Sequence, residues 1–267
     1  MPTISETLTA PAWGTEMFPE GVAVVIGGSG GVGRAICRQL ATCGTDLAFT
    51  YRSNTEAAEK LVQDIRAVGR EAAAYQLDIT DSEAVRAFFE TATGTHGRLT
   101  TVIIASGADI KMKYVADVEP EEWRDAIMTD VIGAFNVSKH AIHALRAGGG
   151  GSIVALSTAA MARHAPTDIL SIGPKGSVEA LVRGIAREEG RNGIRANIVG
   201  LGVIDGGLMD RFWDQLSPEA AKVWRTSSAL KRIGTMDEAA NAVVFLASQK
   251  SSFISGQSLL VDGGWTA

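Results

Sequence analysis

Cysteine is almost missing from this chain: Cys37 and Cys43 are the two in 267 residues. That excludes a disulfide scaffold and suits a reducing compartment. Proline is scarce as well, at 7, and the 30 glycines follow no three-residue period, which excludes a collagen-like rod. There is no surplus of positive charge. The formal net charge is −5, so neither nucleic acid nor anionic lipid is expected as a partner on general electrostatics. No apolar run reaches the roughly 18 residues of a membrane helix. Residues 1–18 have neither a basic start nor an apolar core, and they carry Glu6 and Glu16. They read as a polar extension, not a secretory signal, and the cytoplasm is the expected location.

What is present is an ordinary globule. The chain is 46% hydrophobic and 21% charged, enough for one full core at this length. Short apolar runs alternate with helical stretches, and no linker, repeat or low-complexity tract divides them. Strands are expected at 22–26, 46–51, 72–77, 101–105, 152–156, 195–199 and 258–261. Helices are expected at 34–42, 55–68, 82–93, 120–145, 174–189 and 236–248. Asp81 or Ser82 is the expected cap of the third helix, and the four glycines at 148–151 read as a loop. Strands separated by helices predict an α/β fold, a doubly wound parallel sheet in one domain over residues 19–267.

The first strand-to-helix turn reads Gly27-Gly28-Ser29-Gly30-Gly31-Val32-Gly33. The spacing alone is a weak signal, so its position carries the reading. Glycines without Cβ let the backbone approach a pyrophosphate, and the helix start behind them supplies N–H donors. Gly27, Ser29, Gly31, Val32 and Gly33 are therefore candidate cofactor contacts. The second strand ends in Thr50-Tyr51-Arg52-Ser53. A carboxylate at this point suits the ribose of NAD. Arg52 and Ser53 suit the extra phosphate of NADP, which is favoured over NAD. Asp78 and Ile79, after the third strand, are candidates for the adenine, with helix capping the alternative for Asp78.

In order along the chain, these features resemble the short-chain dehydrogenase/reductase family over residues 20–264. The resemblance rests on the loop at 27–33, on Asp78, and on Ile104-Ala105-Ser106-Gly107, where the family usually has Asn-Asn-Ala-Gly. It continues through Leu156-Ser157-Thr158, Lys175, Arg232-Ile233-Gly234, Ser255-Gly256-Gln257 and Val261-Asp262-Gly263-Gly264. It implies a single-domain Rossmann-like sheet of seven strands and a nicotinamide cofactor also touched by Ala105, Gly107, Lys175 and Val203. A small-molecule substrate and a homotetramer or homodimer are implied too, the latter pairing helices that match 120–145 and 174–189. The family's catalytic set is a Ser, a Tyr, a Lys four residues after the Tyr, and an Asn on the preceding helix. Matched on Lys175, those positions hold Thr158, Ser171 and Asp130, and Lys175 alone is unchanged.

In the family the Tyr exchanges a proton with the substrate oxygen, and an adjacent ammonium draws its pKa of about 10 toward neutrality. The hydroxyl of Ser171 is a far weaker acid. Losing a positioned general acid costs on the order of 10²–10⁴ in rate, so ordinary alcohol–ketone interconversion is handicapped. Reduction of an activated carbonyl or conjugated enoyl compound asks more for polarisation of a developing enolate oxygen. Thr158, Ser171 and Lys175 suit that task. The expectation is an NADP(H)-dependent oxidoreductase with altered proton delivery. A non-redox isomerase, lyase or cyclase on the same fold, or a catalytically silent nucleotide binder, are the alternatives.

Of the three tyrosines, Tyr51, Tyr75 and Tyr114, Tyr114, in the loop after the fourth strand, is the candidate to reach a substrate pocket, with a surface-loop role the equal alternative. His164 reads first as a plain loop histidine, with proton donation or substrate contact the alternative. Residues 206–230, with Met209, Phe212, Trp213 and Trp224, are expected to form an apolar lid, or a helix packed on the body. Lys111 and Lys113 read as a solvated pair, with contact to an anionic substrate the alternative. His140 and His143 lack a third ligand, so no metal site is expected.

Overall fold

The computed structural model describes residues 17–213 and 216–267. Seven strands form one parallel sheet: β1 (Val22–Ile26), β2 (Asp46–Tyr51), β3 (Ala72–Gln76), β4 (Leu99–Ile104), β5 (Gly151–Thr158), β6 (Ile194–Leu201) and β7 (Ser258–Val261). Their order is β3-β2-β1-β4-β5-β6-β7, the doubly wound arrangement the alternation predicts. Central strands β1 and β4 are buried at every position because helices cover both faces. One face packs on α1 (Gly31–Thr42), α2 (Thr55–Ala67) and α9 (Met236–Ala247) through Ile36, Leu40, Leu61 and Val243. The other packs on α3 (Ser82–His96), α5 (Gly133–Ala147) and α6 (Ile169–Glu189) through Phe88, Val137, Leu145 and Val182.

Three local expectations are corrected. The long helix expected at 120–145 is α4 (Pro120–Ala126), then a π-helical turn at Ile127–Ile132, then α5. Helix α6 begins at Ile169, five residues before the expected start, and Pro174 lies inside it. Proline offers no N–H to the carbonyl four residues earlier, which weakens that turn without ending the helix. Finally, residues 17 and 18 belong to the body. Met17 is fully buried, its carbonyl accepts from the Gln249 N–H at 2.9 Å, and Phe18 packs on the core. The rest of the expected extension, residues 1–16, lies outside the described residues. The segment 206–230 contains two helices, α7 (Leu208–Trp213) and α8 (Pro218–Arg225). Among the described residues no helix is long and apolar enough to cross a membrane.

Candidate active site

The strand order reverses between β1 and β4, and the carboxyl ends of the strands open there into a cleft of about 1720 Å³. Ligands bind at such switch points in doubly wound sheets. One half of the cleft is a backbone cradle. Gly27 leaves β1 at φ 77°, and its N–H donates to Thr50 Oγ1 at 3.0 Å. The Gly30 N–H donates to the Gly27 carbonyl at 3.1 Å and closes the turn. A Cβ on Gly33 would collide with that same carbonyl oxygen. Helix α1 has no side-chain cap, so its first N–H groups are free for a ligand. Gly27, Ser29, Gly31, Val32 and Gly33 all line the cleft.

Arg52 and Ser53 line it at the end of β2, both exposed, and Arg52 makes no ion pair among the described residues. The Asp78 carboxylate accepts from the Thr80 N–H at 2.9 Å and the Thr80 hydroxyl at 2.8 Å. These bonds, with Arg52 nearby, hold it below the usual carboxylate range. Asp81, not Asp78, caps α3, accepting from the N–H groups of Glu83 and Ala84. Ile79 is buried and rests on Gly133, where any Cβ would press into it. Asn136, which the sequence did not single out, fixes this corner by donating to the carbonyls of Ile79 and Thr80. Bare backbone, an uncapped helix start and an unpaired guanidinium together fit a dinucleotide.

The other half carries side chains. Ser171 and Lys175 stand one turn apart on α6 and both line the cleft. Thr158 lines it from the end of β5, with Ala105 and Gly107 after β4 and Val203 after β6. The Lys175 ammonium lies 3.4 Å from the Ser106 carbonyl and 3.5 Å from Asp130 Oδ1. Asp130 sits in the π-helical turn, buried behind the lysine and off the cleft wall. Its Oδ1 also accepts from the Ala108 N–H at 3.0 Å. Asp130 therefore braces Lys175 and the loop after β4 from the position where the family's Asn is expected. Thr158 Oγ1 accepts from the Ala160 N–H at 3.1 Å, which leaves its own proton free to donate. The Ser171 hydroxyl makes no bond among the described residues.

No tyrosine hydroxyl bonds Lys175. Tyr75 packs edge-on against Phe88, with its hydroxyl 3.5 Å from His96 Nε2. Tyr51 lines the cleft at the end of β2. Tyr114 lines the cleft, 65% exposed. His164 is exposed on the same wall. Lys111 is solvated, as expected, but Lys113 is half-buried, and both are drawn to Glu122. The Lys113 ammonium meets Glu122 at 2.7 and 2.9 Å, and Lys111 joins at 3.4 Å. The Lys113 bond, chiefly, lowers the Glu122 carboxyl to about 2. His140 Nε2 lies 3.3 Å from Ser82 Oγ, and no metal-ligand group of three or more occurs among the described residues. Met209, Phe212 and Trp224 face the cleft. Trp213 instead lies under the Arg225 guanidinium at 4.3 Å.

Sequence reasoning missed Asp168. It precedes α6, lines the cleft and makes no capping bond with its side chain. Burial pushes its carboxyl up to about 7. With the helix expected from 174, Asp168 reads as an ordinary loop residue; it in fact stands at the start of α6. The available signal was its spacing, three residues before Ser171 and so on the same helix face.

A glycine cradle joined to a lysine-centred polar pocket at the switch point of a doubly wound sheet is the arrangement of an α/β enzyme with room for a dinucleotide. A sequence model of the family described as Enoyl-(Acyl carrier protein) reductase matches residues 27–266. A 3-oxoacyl-[acyl-carrier-protein] reductase of Staphylococcus aureus (strain Mu50) is 32% identical over 242 residues, 91% of this chain and 96% of that one. A short-chain type dehydrogenase/reductase from Mycobacterium ulcerans superimposes with a TM-score of 0.88 at 28% identity, over 94% of this chain and 91% of its own. Carveol dehydrogenase from Mycobacterium avium, solved in complex with NAD, gives 0.86 at 25% identity over 92% and 97%. The chain belongs to the short-chain dehydrogenase/reductase family, and it is an oxidoreductase of that family.

Proposed function

We propose that this protein uses NADP(H) to reduce an activated carbonyl or conjugated enoyl compound, without a tyrosine as proton donor. The observation that carries this reading is Ser171 one helical turn before a Lys175 that is buttressed by Asp130 and Ser106. The bound cofactor supplies a hydride. In this reading Gly27, Ser29, Gly31, Val32 and Gly33 hold its pyrophosphate, Asp78 and Ile79 flank the adenine, and Arg52 and Ser53 take the extra phosphate of NADP. Ala105, Gly107 and Val203 border the nicotinamide end, and Lys175 bonds its ribose. The free guanidinium of Arg52 supports NADP over NAD, because a phosphate rewards a planar forked donor. The hydroxyls of Thr158 and Ser171 polarise the substrate oxygen, where negative charge develops. Neither is acidic enough to replace a lysine-tuned phenol, which favours substrates whose electrons delocalise into an enolate. Tyr114 and His164 border the substrate, and the segment 206–230 covers it with Met209, Phe212 and Trp224.

Calorimetry with NADPH is the first test, and absence of binding refutes the reading. The second is Ser171→Tyr. Beside an intact Lys175 it is expected to create or raise simple ketone reduction by at least tenfold, while NADPH affinity stays within a few-fold. Product formed from the wild type without any NADPH consumption would instead identify a non-redox enzyme.

A further inference from the structure

We propose that Asp168 is the proton donor of this active site, taking the task that a phenol performs elsewhere in the family. The inference rests on the reductase reading above and adds to it the residue that completes the reaction.

Three observations of geometry converge. Asp168 lines the same cleft wall as Ser171 and Lys175, one helical turn before Ser171. Its backbone is fixed. The Asp168 carbonyl accepts the N–H groups of Ser171 at 3.0 Å and Ile172 at 2.9 Å, and the residue forms a parallel bridge with Lys113. Thr167 before it is held at φ 68°, a left-handed conformation that a β-branched residue avoids. The Lys113 N–H donating to the Thr167 carbonyl at 2.9 Å keeps it there. Strain of this kind collects at functional positions.

The third observation is the carboxyl's lack of partners. Other shielded carboxylates here are satisfied. Asp130 has Lys175 and Ala108. Glu179 has Ser157 at 2.8 Å and Arg183 at 2.8 Å, and Glu189 has Arg146 and Asn192. Asp168 makes neither a hydrogen bond nor an ion pair with its side chain among the described residues. The charged groups around it are committed elsewhere or set apart. Lys113 and Lys111 are spent on Glu122, and Arg163 lies 5.3 Å from the Trp265 ring centroid and donates to its carbonyl at 2.8 Å. Asp125, Tyr114 and His164 share the cleft wall without bonding it. Asp168 is half-buried, and a carboxyl partly withdrawn from water with no cation bonded to it keeps its proton toward neutral pH; this partial burial holds it at about 7. That is the range a general acid needs.

The step balances without a further reactant. A hydride from NADPH forms a new C–H bond at the electrophilic carbon. The displaced π electrons move to the oxygen or, through the enolate, to the α-carbon. That atom takes the proton as the Asp168 O–H bond breaks. The products are reduced substrate, NADP⁺ and the Asp168 carboxylate, which regains its proton from water in the open cleft.

The test compares wild type, Asp168→Asn and Asp168→Glu, with NADPH binding measured alongside turnover on a panel of activated carbonyl and enoyl substrates. The expected result is a wild-type kcat/KM that falls tenfold per pH unit above about pH 7, and a loss of 10²-fold or more in Asp168→Asn with that limb abolished. Asp168→Glu restores part of the rate, and NADPH affinity is unchanged in both. A second readout needs no turnover. The infrared difference spectrum of wild type against Asp168→Asn should contain a protonated carboxylic acid band at about pH 6 that is gone at about pH 9. Wild-type turnover with Asp168→Asn within threefold overturns the assignment and leaves the reductase reading standing, as does absence of the band at about pH 6. No turnover on any substrate despite NADPH binding overturns both.

Discussion

Replacing Asp168 by Asn should make the protein more stable above neutral pH. An aspartate in an unfolded chain ionises near 3.9, whereas burial holds Asp168 at about 7 in the folded protein. The folded state thus binds the proton more tightly. Any stability this group provides is complete below about pH 4 and is lost as pH rises through about 7. Three pKa units at 1.36 kcal/mol each set an upper bound of about 4 kcal/mol on the penalty at pH 8. Asp168 keeps partial contact with solvent, so about half of that is the working value. Asparagine has the same shape and no charge to desolvate. Between about pH 4.5 and pH 8, the stability of Asp168→Asn relative to wild type should therefore rise by about 1.5–3 kcal/mol. In a domain of this size that corresponds to roughly 3–10 °C in Tm. Urea unfolding of both proteins without cofactor, at matched pH values, measures the difference directly, and other carboxylates cancel in the comparison. A relative stability that stays flat across this range, or falls, would refute the claim that the folded protein holds Asp168 protonated toward neutral pH.

Arg52→Ala should weaken NADPH binding by about 10–100-fold, one charge-assisted contact, and change NADH binding less than threefold, measured by fluorescence titration. Lys175→Ala should weaken NADPH binding by about tenfold or more and also lower stability by about 3 kcal/mol, since Asp130 would be left buried without its cation. Gly33→Ala places a methyl against the Gly27 carbonyl and should abolish NADPH binding while costing about 1–3 kcal/mol in urea. Met128, Ile132 and Phe135 are exposed on one side of the π-helical turn and α5. If the family's expected self-association uses that side, Phe135→Asp should reduce the mass seen by light scattering to that of a monomer.

Much of the fold was legible because its signals are local. β2 and β7 were bounded by composition alone, and Asp81 capped α3 as its side chain suggested. The glycine loop was legible for the same reason, since strand, glycines and helix start are contiguous. What escaped depends on contacts distant in sequence. The π-helical turn that carries Asp130 leaves no mark in an apolar period, because its extra residue is accommodated by packing between α4 and α6. The early start of α6 was hidden by Pro174, which a sequence reading treats as a beginning. Here the Asp168 carbonyl takes the first two helical bonds instead. Lys111 and Lys113 looked free because Glu122, which neutralises them, lies about ten residues away on another element.

Two demands on this cleft separate cleanly in the structure. In the proposed reading, holding a hydride donor falls to the backbone of the glycine loop and to a lysine braced by Asp130 and Ser106, none of which depends on a tyrosine. Delivering a proton requires a group that is unsatisfied and kept so. Most buried polar groups in proteins find partners, and a domain stable by about 5–15 kcal/mol does not easily carry an unpaired acid whose ionisation opposes folding. Asp168 is held in that condition by a strained neighbour, a bridging strand segment and cations diverted to Glu122. Releasing Lys113, whose backbone bridges Asp168, from Glu122 would offer the carboxyl a cation and lower its pKa. The prediction that follows is specific. In Glu122→Gln the Lys113 ammonium is released beside Asp168, so the alkaline limb of kcat/KM should move to lower pH by about one unit. An unmoved limb would mean that freeing this lysine does not reach the acid, and that Glu122 plays no part in keeping Asp168 protonated.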